Sequence, residues 1–430
     1  MKLPKLVALK NKLKVILYKS DELITNSILA LVKTGTDYEN KKNNGISHFI
    51  EHLFFKGSKQ FPDSKILGLE LDKIGADYNA FTSYEYTGYF IKTLPEYFER
   101  AIQILADILC NPLFPEDEIE KERNVVLEEI NFHMDTPTSF IFDEVLKITF
   151  GDQPAGWSIL GTKKNLEAFS RNDILNYFKN HYTVNNSYLV LVGNFNENKI
   201  IRILENLFEK YNKNKSPFKN NLNYQKIPKT KGKIINKKEL KQAHLLLLFI
   251  TDGIKKLKDR RYPLRVLTSL LGYGFSSRIF RILREELGIT YYIKVDLDSY
   301  TDRGYLYIQT GSSLPKIEIT IKRLLEELNS LKSTKISDDE IEKAKAILKT
   351  TILSSAESSL NMAYLYGINY ILFNKFISPK EYIEKINKVN EEQIKRELKR
   401  LISWNNLKFA ILVPPEYSKI KIFDIFKKYL

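Results

Sequence analysis

Within the stretch Gly45-Ile-Ser-His48-Phe-Ile-Glu51-His52-Leu-Phe-Phe55, two histidines stand four residues apart with a glutamate between them. On a helix, residues four apart lie one turn above each other. Both imidazoles then reach a single point in space, and Glu51, three residues after His48, points to the same side. Two imidazoles suit zinc, and a catalytic zinc takes one further protein ligand and keeps a position open for water. The carboxylate that takes the water's proton belongs beside the metal without binding it, and Glu51 fits that part. The plain alternative is a pair of satisfied core histidines. With 5 His in 430 residues, such a spaced triplet is a rare coincidence, and the metal reading is preferred.

The element that must carry these groups is a helix. Ile46, Phe49, Ile50, Leu53 and Phe54 recur at helical spacing and predict one buried face, with the histidines on its flank. The third ligand is sought on a second, long helix running from Pro115 to Phe132, whose first turn is acidic, as suits the helix dipole. Glu122 and Glu129 are seven residues apart there and share a face beside Val125 and Val126. An unpaired carboxylate on a half-buried face is costly, and a metal with its histidines would relieve that cost. Spacing alone does not rank Glu122 against Glu129 as the ligand; Glu128 reads as solvated.

Composition bounds the rest. A hydrophobic share of 43%, with 25 Tyr and 25 Phe, predicts sizeable cores, and the length predicts two domains. One cysteine, Cys110, allows no intrachain disulfide and points to a reducing compartment. The N-terminal residues lack the pattern of a signal peptide and no run reaches the length of a membrane span, so the expectation is a soluble cytoplasmic protein with no membrane partner. The formal charge of +15 is carried by scattered lysines, which argues against a nucleic-acid partner.

The second half repeats the first. Asp117-Glu-Ile-Glu-Lys121 recurs as Asp339-Glu-Ile-Glu-Lys343, and Asn185-Asn-Ser-Tyr-Leu-Val-Leu-Val matches the segment that begins at Asn405. The expected organisation is α+β and duplicated: residues 1–212, a Lys/Asn-rich exposed linker over 213–232, and a repeat over 233–430. In the copy, Glu122 falls on Ala344 and Glu129 on Thr351. The segment Phe275 to Arg284, expected as the counterpart of the histidine helix, contains no histidine. The copy keeps the fold without the chemistry, so one zinc per chain is expected.

With His48-Phe-Ile-Glu51-His52, Glu122-Arg-Asn-Val-Val-Leu-Glu-Glu129 and the duplication in hand, the chain resembles the pitrilysin family of zinc metallopeptidases, the inverzincins. That family includes mitochondrial processing peptidase and insulin-degrading enzyme, and the likeness is strongest to its bacterial two-domain branch. The resemblance implies that the third ligand is Glu129 and that Glu122 supports the ligands from behind. It implies that Asn79, Ala80 and Phe81 lie on an edge strand that pairs with an extended substrate. It also implies that Arg284 and Tyr291, in Arg284-Glu-Glu-Leu-Gly-Ile-Thr-Tyr291, hold substrate carbonyls. Without the family, those two would read as a surface ion pair and a core ring.

The expected function is a zinc-dependent endopeptidase acting on peptides or unfolded segments inside a chamber, with Glu51 as general base and His48, His52 and Glu129 on the metal. Larger relatives join four such domains into a clamshell; two domains supply half of it, and a homodimer with shared sites is expected. The rivals are a non-catalytic subunit of the same family and, on charge alone, a basic nucleic-acid-binding protein.

Overall fold

The computed structural model describes residues 2–215, 217–290, 292–417 and 422–429. Strands β1 (Lys5–Ala8), β2 (Lys14–Lys19), β3 (Asn26–Val32), β4 (Asp77–Thr82), β5 (Thr87–Thr93) and β6 (Ser187–Gly193) form one sheet in the order β1-β2-β6-β3-β5-β4. Strands β7 (Gly232–Asn236), β8 (Ala243–Asp252), β9 (Ile293–Ser299), β10 (Arg303–Ser312) and β11 (Leu407–Val413) form a second in the order β7-β11-β8-β10-β9. In each sheet a single parallel pair, β2 with β6 and β7 with β11, joins an otherwise antiparallel set. The expected duplication is thus visible in five strands of each sheet, with β1 added at the edge of the first.

The central strands β3, β6 and β11 are buried along their whole length. Strands so uniformly apolar need cover on both faces. On one face of the first sheet lie helices α1 (Ile46–Leu53), α2 (Ser64–Lys73), α3 (Phe98–Cys110) and α4 (Glu116–Asp135), which share its large core. Asp63 caps α2 by accepting from the N–H groups of Lys65 and Ile66, and Ser170 with Asp173 forms a reciprocal cap on the helix Arg171–His181.

The opposite face is covered by a helix from far along the chain. Ser359–Phe373 packs on β3 and β6, with Met362, Ala363, Tyr366 and Ile371 against Leu29, Leu31, Val190 and Val192. Reciprocally, α5 (Pro137–Phe150), from the first half of the sequence, packs on β8 and β11 of the second sheet. The two compact units are therefore discontinuous: Met1–Phe132 with Trp157–Asn221 and Ser354–Ser378, and His133–Gly156 with Leu222–Leu353 and Pro379–Leu430. A contiguous division at 1–212 and 233–430 assigns both exchanged helices to the wrong sheet. Amphipathic pattern tells which face of a helix is buried, not which sheet receives it.

Most of the described residues in 213–232 are exposed, as expected, but the segment is tied to the first unit at two points. Lys219 sits among Asp37, at 3.4 Å, and Glu85, at 2.5 Å, and Asn220 donates its N–H to the carbonyl of Asp37. Among the described residues, no helix is long and apolar enough to cross a membrane.

Candidate functional site

The position of α1 is fixed before its histidines are considered. Glu39, buried, accepts from the N–H groups of Gly45 and Ser47, both at 2.9 Å, and from the Asn44 side chain. Those amides are the unsatisfied donors of a helix start, so Glu39 acts as the cap that Gly45 lacks in side chain. Gly45 has φ +98°, and a Cβ there would lie 2.7 Å from the Gly161 Cα, so only glycine permits this close crossing. Ser47 is tied to the Tyr177 hydroxyl at 2.8 Å, and Phe49, Ile50 and Leu53 fill the core behind. The apolar face expected from the sequence is the buried face.

On the flank of that face, His48, His52 and Glu129 offer ligand atoms that all lie within 4.8 Å of one another. Glu129 Oε2 is 3.6 Å from His48 Nε2 and 3.3 Å from His52 Nε2. Glu122, one helical face with Glu129, does not join them. Its Oε2 accepts from His52 Nδ1 at 3.3 Å, on the far side of the imidazole, while its Oε1 meets Lys56 Nζ at 2.5 Å. The two glutamates thus face different nitrogens of His52: Glu129 meets Nε2, beside His48, and Glu122 meets Nδ1. Glu128 is exposed, as expected.

Glu51 Oε2 lies 3.9 Å from His48 Nε2 and accepts a hydrogen bond from Thr82 Oγ1 at 3.1 Å. It is beside the cluster and outside the group of three. Burial raises its pKa, opposed by the His52 charge and the Thr82 bond. Burial, with the neighbouring His52, pushes His48 down to about 4. Burial also works against charge on His52, but hydrogen bonds to Glu122 and Glu129 and the charge of Glu51 outweigh it and hold His52 up to about 9. The carboxylates around His52 thus favour its protonated form.

The donor set tests which ion would fit. Two imidazole nitrogens and one carboxylate oxygen, with an imidazole donating its other nitrogen to a carboxylate, match zinc chemistry with room left in the coordination sphere. Nothing in the set favours a hard, all-oxygen cation.

Asn79, Ala80 and Phe81 lie on β4, which ends its sheet and pairs only with β5 among the described strands. Strand alternation separates their side chains. The Tyr78 ring packs at a tilt against Phe55, and Thr82 reaches Glu51, on the α1 side. The Phe81 ring instead packs against Tyr86 and Tyr364 over Gly88, where any Cβ would lie 2.2 Å from the ring. Asn79 Oδ1 accepts from the N–H of Ala80. What β4 presents outward is a strand edge, with the Phe81 side chain already committed to packing. Arg284 is exposed in the second unit and donates to the carbonyl of Thr290 at 2.8 Å; Tyr291 lies outside the described residues.

The second unit corrects one expectation. The helix Arg261–Gly272 follows β8 and packs on β9, as α1 follows β3 and packs on β4, so it and not Phe275–Arg284 is the counterpart of the histidine helix. At the 220-residue offset, His48, Glu51 and His52 fall on Thr268, Leu271 and Gly272. Ala344, at the place of Glu122, is buried, and its carbonyl accepts from Ser269 Oγ at 3.0 Å. Packing has filled the position that holds titratable groups in the first unit. Two contacts escaped sequence reasoning, Thr82 to Glu51 and Lys56 to Glu122. Lys56 stands one turn past His52, a spacing that signals proximity but not a partner.

Comparison with known proteins agrees with this division. A family model described as insulinase (peptidase family M16) matches residues 15–163, and one described as the peptidase M16 inactive domain matches residues 168–348. A protein of Rickettsia felis named as an uncharacterized zinc protease is 33% identical over 396 residues, 92% of this chain and 94% of that protein. The chain belongs to peptidase family M16. Within the M16 family, the zinc protease YmxG of Bacillus subtilis is 32% identical over 406 residues, 94% of this chain and 97% of the relative. The mitochondrial-processing peptidase subunit beta of Saccharomyces cerevisiae is 29% identical over 377 residues, covering 84% and 81%. A structure described as a protease from Helicobacter pylori shares the M16 fold at a TM-score of 0.85 and 23% identity, over 96% of this chain and 100% of that one. The inactive-domain model begins in the last part of the first unit and runs through most of the second, including the counterpart helix Arg261–Gly272, which carries no histidine.

Proposed function

We propose that this M16 protein is a zinc-dependent endopeptidase that hydrolyses peptides or unfolded polypeptide segments, with one zinc per chain held by His48, His52 and Glu129. The observation that carries the reading is the convergence of those three ligand atoms within 4.8 Å, with a buried carboxylate, Glu51, beside them and outside the set. A zinc ion bound there supplies Lewis acidity toward water and the scissile carbonyl.

The chain's own residues do the rest. Glu51 accepts a proton from the attacking water and delivers it to the leaving amine nitrogen, the two roles of one carboxylate whose pKa is raised by burial. Thr82 holds the Glu51 carboxylate by donating to Oε2. Glu122 accepts from His52 Nδ1, which fixes the tautomer that leaves Nε2 free to coordinate. The outer edge of β4 at Asn79, Ala80 and Phe81 pairs with an extended substrate backbone, a mode that reads conformation more than side chains. Arg284 and Tyr291 of a second copy, in a homodimer, complete the substrate contacts.

Metal analysis combined with cleavage of a random peptide library tests the reading. About one zinc per chain and chelator-sensitive cleavage are expected; metal-loaded protein that cleaves nothing in the library, alone or mixed with a family partner, would leave the non-catalytic subunit as the better account.

A further inference from the structure

Glu122 is nearly enclosed, and a buried carboxylate is stable as an anion only with partners that answer both of its oxygens. Those partners are divided. His52 Nδ1 meets Oε2 at 3.3 Å, and Lys56 Nζ meets Oε1 at 2.5 Å. Lys56 follows His52 by four residues, just past the end of α1, so its ammonium folds back over the carboxylate that the imidazole contacts. The ammonium is partly buried, with about a quarter of its side chain exposed, so its attraction for Glu122 is less screened than that of a surface pair. On the other side of the ring, His52 Nε2 lies 3.3 Å from Glu129 Oε2. The four groups form one line: ammonium, carboxylate, imidazole, ligand carboxylate.

We infer that Lys56 is a positioning residue for the metal centre: it anchors Oε1 of Glu122 so that Oε2 is aimed at His52 Nδ1, and thereby sets the orientation and tautomer of a zinc ligand it does not touch. This rests on the zinc reading above. A carboxylate deprived of its cation is free to rotate toward solvent or toward the metal itself, and the imidazole then loses the acceptor that holds its Nδ1 proton. Arginine at this position keeps the charge and the donors; methionine keeps the length and removes both.

The test is zinc affinity of metal-depleted protein, measured by competition with a chromophoric chelator, alongside thermal melting of the same metal-free samples. Lys56→Met should weaken zinc binding about tenfold or more, the scale of other partners behind metal ligands, while Lys56→Arg stays within about threefold of wild type, a looser margin chosen for the changed geometry. Because Lys56 acts through Glu122, the double variant Lys56→Met/Glu122→Gln should bind zinc no more weakly than Glu122→Gln alone. Should Lys56→Met fail to fold, Lys56→Gln is read in its place. Wild-type zinc affinity in the folded Lys56 variant, or a further loss in the double variant, overturns the inference while leaving the zinc site intact. Wild-type protein that takes up no zinc overturns the zinc reading and this inference together.

Discussion

Thr82 Oγ1 lies 3.1 Å from Glu51 Oε2, which ties the edge strand β4 directly to the carboxylate assigned as general base. In the proposed function the bond links the strand that pairs with substrate to the carboxylate that moves its proton. Thr82→Val keeps the β-branched shape and removes the donor. Peptide cleavage should fall about tenfold, at the lower end of what a hydrogen bond to a charged group contributes, with zinc content unchanged. Unaltered kcat/KM in this variant would show that Glu51 needs no such support.

Ligand and base separate by substitution. Glu51→Gln should retain zinc and lose about 10²- to 10⁴-fold in turnover, the contribution of a positioned proton acceptor. His48→Ala, His52→Ala and Glu129→Gln should instead lose the metal, because each removes one of three coordinating groups. Elemental analysis beside initial rates distinguishes the two classes; a Glu51→Gln protein that arrives without zinc would move Glu51 into the ligand set.

Shared sites in a homodimer predict complementation between lesions. Glu51→Gln chains mixed with Arg284→Ala chains should recover about a quarter of wild-type activity, since about half the dimers are mixed and each then has one intact site of two. Arg284 is exposed, so its replacement should leave the fold undisturbed. If Arg284 acts within its own chain, every site in the mixture carries a lesion and recovery stays at the mean of the separate variants. Native mass spectrometry confirms that subunits have exchanged.

His181 gives a pH dependence away from the metal. It stacks on Tyr177 with ring centroids 3.7 Å apart, shares a hydrogen bond with Thr34 Oγ1, and burial pushes its pKa down to about 3. In the unfolded chain it titrates near 6.5. Between those values the unfolded state holds the extra proton, so stability falls as pH drops from about 6.5 toward about 3, with a slope of at most about 1.4 kcal/mol per pH unit from this group. His181→Gln should melt lower than wild type at pH 8, where the stack is lost, yet lose stability less steeply on acidification. Parallel slopes for the two proteins across that range would assign the acid sensitivity elsewhere.

Much of the site is legible in the sequence because its spacings are local. The one-turn separation of His48 and His52 and the apolar stripe behind them are properties of a single helix, and α1 forms where they predict. The choice between Glu122 and Glu129 is not local. Both lie on the same face of α4, and only the approach of α1 decides that one meets His52 at Nε2 and the other at Nδ1. Lys56 and Thr82 were unreadable for the same reason, since each finds its partner across elements. Phe275–Arg284 misled because its helical pattern resembles that of α1, whereas the order of elements after β8 assigns the counterpart to Arg261–Gly272.

The reciprocal exchange of helices has a consequence for how the chain is made. When β6 leaves the ribosome, every strand of the first sheet has been synthesised, yet the face bearing Leu29, Leu31, Val190 and Val192 has no cover until the much later Ser359–Phe373 emerges. An apolar sheet face held open that long invites misassociation. A nascent chain of this protein is therefore a natural client for a holding chaperone, and a gene fragment encoding the first half alone, histidines included, is expected to yield insoluble protein.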